Sequence, residues 1–156
     1  MAEEQQQPQQ DVELTDEQRR EMEAQWVNQC LQRANAHLAS KGILPQTVRQ
    51  SESRILPPYV GIWKLTAKAE GRVGDFWVIS GDLPSDHVSV KTCASARDAL
   101  RHFSMQWQLK AENIANGPGR TDKVQMDFAN LLISRAEAIY HLYNDDRLWG
   151  DEATQR

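Results

Sequence analysis

The stretch "SGDLPSDH", residues 80–87, holds Asp82, Asp86 and His87. Two carboxylates and an imidazole are groups for general acid–base work, or for a metal held by oxygen and nitrogen. Either use needs a further group brought from elsewhere in the chain. The same residue types also make tight connections between strands. Asp82 or Asp86 can accept from its own backbone two residues on. Gly81 can supply a backbone angle closed to other residues. Pro84 fixes φ and holds Leu83 extended. The spacing matches no calcium loop or zinc signature. The expectation is therefore a structural turn, with no metal and no cofactor. Asp82, Asp86 and His87 remain the candidate binding residues if the loop has a second use.

Two further residues join them. Arg135 falls at the border of an apolar helical stripe beside Leu131, Leu132 and Ile139. A partly buried Arg needs a carboxylate partner, for which Asp82, Asp86 and Glu137 are candidates. A packing salt bridge is the expected outcome, and an anion site facing a groove is the sharper alternative. Trp149 lies past the last helix in a short charged tail. It either folds back onto the domain or anchors a partner.

Other chemistry is thin. There is no G-x-S-x-G, and Cys30 and Cys93 match no metal, redox or catalytic spacing. "EGRVGDF" has glycines but no following helix to bind an anion. His37, His102 and His141 are each placed on a helix, where solvated or core-edge positions explain them. No catalytic residue is assigned.

Composition narrows the classes. The chain has 156 residues and a net charge of −4. A chain of this length fits one domain and can bury about two thirds of its unfolded surface. No basic excess or stripe points to nucleic acid. No apolar run approaches the roughly 20 residues of a membrane span. The Gln-rich, acidic start is unlike a signal peptide, and the cysteine usage suits a reducing cytoplasm.

Residues 1–13 are Gln-rich and poor in apolar side chains, so a disordered tail is expected. A domain spans 14–149, and 150–156 form a second tail. The first helix covers about 16–41, capped by Thr15 with Gln18 and ended by Gly42. Residues 43–58, with three prolines, read as irregular. Three strands follow: 59–67 with alternating faces, "FWVIS" apolar on both faces, and "HVSVK" half-buried. The second helix opens at Ser95 and stops at "NGPG", 116–119. The third, capped by Thr121 or Asp122, carries Phe128, Leu131, Leu132, Ala136, Ile139, Tyr140 and Tyr143 on a wide stripe. The two should pair antiparallel, with Trp107 and Phe128 both buried. The order αβββαα predicts an α+β two-layer domain: a three-stranded antiparallel meander packed with three amphipathic helices.

"LASKGILPQTV", "FWVISGDLPSDHV", "ALRHFSMQWQLKAE" and "DFANLLISRAEAIYHLY", between Trp26 and Trp149, together resemble the domain-of-unknown-function family 4826. The resemblance implies a small soluble bacterial protein of the cytoplasm, and it carries over no activity, cofactor or site residue. With the motif search empty, the expected function is a non-enzymatic binding or adaptor module acting through a protein partner. The alternative is an enzyme or small-ligand domain centred on the "GDLPSDH" loop. Deleting residues 1–13 is expected to leave the thermal midpoint within a few degrees, where ~1 kcal/mol would move it by roughly 3–5 °C.

Overall fold

A computed structural model describes residues 13–150. Helix α1 runs Asp16–Ser40 and is opened by a full capping box. Thr15 Oγ1 accepts from the Gln18 amide, and the Gln18 side chain accepts from the Thr15 amide at 3.0 Å. Strands β1 (Leu44–Val48), β2 (Arg54–Leu56), β3 (Val60–Ala69), β4 (Arg72–Gly81) and β5 (Asp86–Ser89) follow. Helices α2 (Ala96–Asn116) and α3 (Lys123–Asn144) complete the order. No helix among the described residues is long and apolar enough to cross a membrane.

The expected meander forms the middle and one edge of the sheet, as β3, β4 and β5, all antiparallel. Two strands were not foreseen. β1 and β2 lie end to end on the outer edge of β3, pairing with Leu65–Lys68 and Val60–Ile62. Pro45 of β1 fits that edge, where a missing N–H can be tolerated. A bulge between Pro45 and Thr47 adjusts the register. Backbone pairing to a long neighbour, rather than side-chain pattern, makes strands of a segment that reads as irregular.

The α+β class stands, but three layers replace the expected two. Both faces of the β3–β4 ladder are apolar, so both need cover. Val60, Ile62, Trp77 and Ile79 face α2 and α3, where Leu100, Phe103, Trp107, Leu132 and Ile139 meet them. Trp63, Leu65, Ala67 and Val78 face α1 and its Cys30, Ala34 and Leu38. A relay fixes α1 on this face: Trp63 Nε1 donates to Ser80 Oγ at 3.1 Å, and Ser80 Oγ donates to the Cys30 carbonyl at 2.7 Å.

α2 starts at its Ser95 cap, and α3 at Asp122 rather than Thr121. The two run antiparallel: Arg97 reaches the Tyr143 carbonyl and Ser104 that of Ala136. The buried stripe of α3 is narrower than its sequence suggests. Ala129, Leu132, Ala136 and Ile139 are buried, whereas Phe128, Leu131 and Tyr140 are exposed. α3 packs chiefly on α2, and a helix-on-helix seam is narrower than a helix-on-sheet footprint. Trp107 is buried as expected; Phe128 is 36% exposed under the Lys110 ammonium. Trp149 folds back and is fully buried, its Nε1 donating to the Leu142 carbonyl at 3.0 Å. It therefore offers no anchor to a partner. The tails expected at 1–13 and 150–156 lie outside the described residues, apart from Glu13 and Gly150.

Trp149→Ala is expected to cost about 3–5 kcal/mol, the range for large buried side chains, and Phe128→Ala about 1 kcal/mol or less. Urea unfolding of the two variants checks both the order and the gap.

Candidate functional site

The connection 82–85 leaves β4 at Gly81, whose φ of +140° belongs to glycine. A Cβ there would lie 2.6 Å from the Tyr59 carbonyl oxygen. The expected awkward angle is thus present, and it comes with a close approach of two backbones.

The four polar candidates do not gather at one point. Asp82 and Arg135 meet on one side of the connection. Arg135 Nε donates to the Asp82 carbonyl at 2.9 Å, and its Nη2 stands 3.9 Å from the Asp82 carboxylate. The Asp82 side chain is 89% exposed, so this ion pair contributes little; the backbone bond is what ties α3 to the loop. Of the partners considered for Arg135, Asp82 is the one found. The pair lines a cleft of about 290 Å³ with Pro58, Tyr59, Leu83 and Leu142. Pro58 also borders a second cleft, of about 350 Å³, lined by Leu14, Met22, Trp26 and Pro57. Pro58 is the common wall of the two clefts, one lying against α3 and the other against α1, so the apolar furrow is split around Pro58 rather than continuous. Tyr59 is exposed in the first cleft, Met22 and Leu14 in the second.

Asp86 and His87 belong to a different group. Asp86 Oδ1 accepts from the His87 amide at 2.8 Å, and Oδ2 accepts from Trp107 Nε1 at 3.0 Å. Asp86 therefore bonds the next amide and a buried indole, not the amide two residues on. His87 Nδ1 lies 2.9 Å from His37 Nε2, a hydrogen bond between imidazoles. The Phe76 and His87 rings meet in an edge-to-face contact. Ligand atoms of His37, Asp86 and His87 all fall within 4.8 Å of one another. His37 was not among the site residues expected. It is half-buried on α1, one position before the fully buried Leu38 and 50 positions from His87. No sequence signal joins the two, because α1 and β5 are brought into contact only by the fold.

Burial holds both imidazoles below their ordinary value of 6.5. At His37 the neighbouring His87 adds to the effect; at His87 the Asp86 carboxylate opposes it. Both rings are accordingly neutral near neutrality, with an unprotonated nitrogen to offer.

Fold and site together define an α+β domain with helices on both sheet faces, carrying an apolar furrow and a His–Asp–His cluster on either side of one loop. The chain belongs to the family described as a domain of unknown function (DUF4826), matched over residues 20–149. No curated protein and no solved structure matches it.

The depressed imidazoles set a pH dependence. Between their folded values and 6.5, the unfolded chain binds more protons than the folded one, so stability is complete above 6.5 and falls on acidification through that window. In metal-free protein, the urea midpoint is expected to drop between about pH 7.5 and pH 5.5, above the range where most carboxylates titrate. The drop should shrink in His37→Gln and persist in His102→Gln.

Proposed function

We propose that this protein is a non-enzymatic binding module that docks an extended segment of a protein partner along the furrow divided at Pro58. The observation that carries this reading is the run of apolar side chains left in water there. Leu14 is 40%, Met22 55% and Tyr59 62% exposed. Exposed apolar patches rimmed by polar groups mark interaction sites. Arg135 stands at one end, a third exposed, with a guanidinium fork suited to a carboxylate. The segment expected is therefore apolar with an acidic residue. Residues 1–12 of this chain, mostly Gln, Glu and small residues, have little to fill such a furrow. A bacterial, cytoplasmic setting is part of this reading, and Cys30 and Cys93, both free and buried on opposite faces of the sheet, suit its reducing conditions. A small-ligand or enzymatic reading of the "GDLPSDH" loop draws on the same cleft, whose roughly 290 Å³ would take a small carboxylate against Arg135.

A photo-crosslinking residue placed at Tyr59 or Met22, in cells that express the protein natively, tests the reading. Both positions are expected to capture the same protein, and Arg135→Glu to abolish capture. Position Val73, at the far end of the β3–β4 hairpin and equally exposed, should capture nothing. Indiscriminate capture from all three positions, or none from any, would refute it.

A further inference from the structure

The two imidazoles that face each other between α1 and β5 share a carboxylate neighbour, and the arrangement is open to solvent. His37, Asp86 and His87 are all half-buried. Two imidazole nitrogens and one carboxylate oxygen are a donor set suited to zinc and its neighbours among the divalent transition metals. The facing nitrogens are 2.9 Å apart. Ligand atoms around a tetrahedral zinc with bonds near 2.0–2.1 Å lie about 3.3 Å apart, so the two nitrogens would part by a few tenths of an ångström as their rings turn toward the ion, and the Asp86 oxygen, within 4.8 Å of both, would close in.

We propose that His37 Nε2, His87 Nδ1 and one Asp86 oxygen form a binding site for a single divalent transition-metal ion. Neighbouring groups hold the ligands close together. Trp107 Nε1 and the His87 amide each hold one Asp86 oxygen, the outer-shell role that fixes ligating carboxylates. The Phe76 ring stands against that of His87, 6.1 Å between centroids. Without metal, one proton lies between the two facing nitrogens. On binding, that proton leaves to solvent and the far nitrogen of the same ring takes one up, so both facing nitrogens carry free lone pairs for the ion. Three protein ligands leave a fourth tetrahedral position for water or for a donor from a partner. The site shares no residue with the furrow, so either can fail without the other.

The test uses the full chain without a histidine tag, stripped of metal by a chelator and titrated with zinc chloride and cobalt chloride. Calorimetry is expected to show one saturable equivalent, with affinity on the order of micromolar or tighter. Cobalt should give the visible absorption of a four- or five-coordinate site. His37→Gln should weaken binding by about tenfold or more, and Trp107→Phe, which removes the outer hydrogen bond together with part of a buried ring, by about tenfold. His102→Gln and His141→Gln should leave it unchanged. Imidazole NMR signals of the wild type give a check that needs no variant: those of His37 and His87 should shift on zinc addition while those of His102 and His141 stay. A wild type with no saturable site, a His37→Gln protein that binds as tightly, or shifts confined to His102 and His141 would overturn the proposal.

Discussion

The β3–β4 hairpin pairs ten residues in register, and nearly every side chain from Phe76 to Ser80 is buried on one face or the other. A strand apolar on both faces has no solvent side, so the fold must supply a layer above and a layer below. That one requirement sends α1 to one face and the α2–α3 pair to the other. It also places a hydroxyl, Ser80, in the middle of an apolar contact. Ser80 tolerates full burial because it accepts from Trp63 and donates to the Cys30 carbonyl, leaving no unpaired polar atom. The same bonds fix the height of α1 along the sheet, and that height is what brings His37 opposite His87.

On the other face the closing element is the C-terminal turn. Arg97, in the first turn of α2, is nearly buried, an unfavourable place for a cation beside a helix N-terminus. Its fork compensates by binding the Tyr143 carbonyl at 2.8 Å, one of the last of α3, and the Asp146 carboxylate at 2.7 Å. The rings of Tyr143 and Trp149 pack on the guanidinium, 5.2 and 5.7 Å from their centroids. The start of α2, the end of α3 and the tail are thereby locked together. Trp149 is part of the core because Arg97 and the Leu142 carbonyl hold it there, although its neighbours in sequence are charged.

How much could be seen in the sequence follows from which forces act locally. Thr15 with Gln18, Ser95 and Asp122 mark helix starts through contacts two or three residues long, and all three form. Alternation along 60–65 assigns Val60 and Ile62 to one face and Trp63 and Leu65 to the other, as found. β1 and β2 were hidden because short edge strands depend on a partner's backbone, which no local pattern records. The exposure of Phe128 and Leu131 was hidden because stripe width depends on what a helix packs against. Of the candidate site, the loop and the Gly81 conformation were legible, and the partner of Arg135 was narrowed to three carboxylates, of which Asp82 is the one met. His37 and Trp107, which give Asp86 and His87 their setting, were not, since each comes from a separate element.

Those distant contacts bear on whether the loop is mere turn chemistry. A self-sufficient turn satisfies its amides with its own side chains. Here the Asp82 carboxylate points into solvent, and Asp86 bonds one local amide and one indole of α2. The connection is held instead from outside. α1 grips it through Arg33 on the Gly81 carbonyl and His37 on His87; α2 through Trp107 on Asp86; α3 through Arg135 on the Asp82 carbonyl. All three helices converge on one short segment at the open end of the hairpin. A segment tied to that many elements has little freedom to move, and rigid support is what a site needs to keep its ligands in place. The polar residues of "GDLPSDH" therefore do more than reverse the chain: they are where the layers are tied together, with the furrow to one side and the histidine pair to the other.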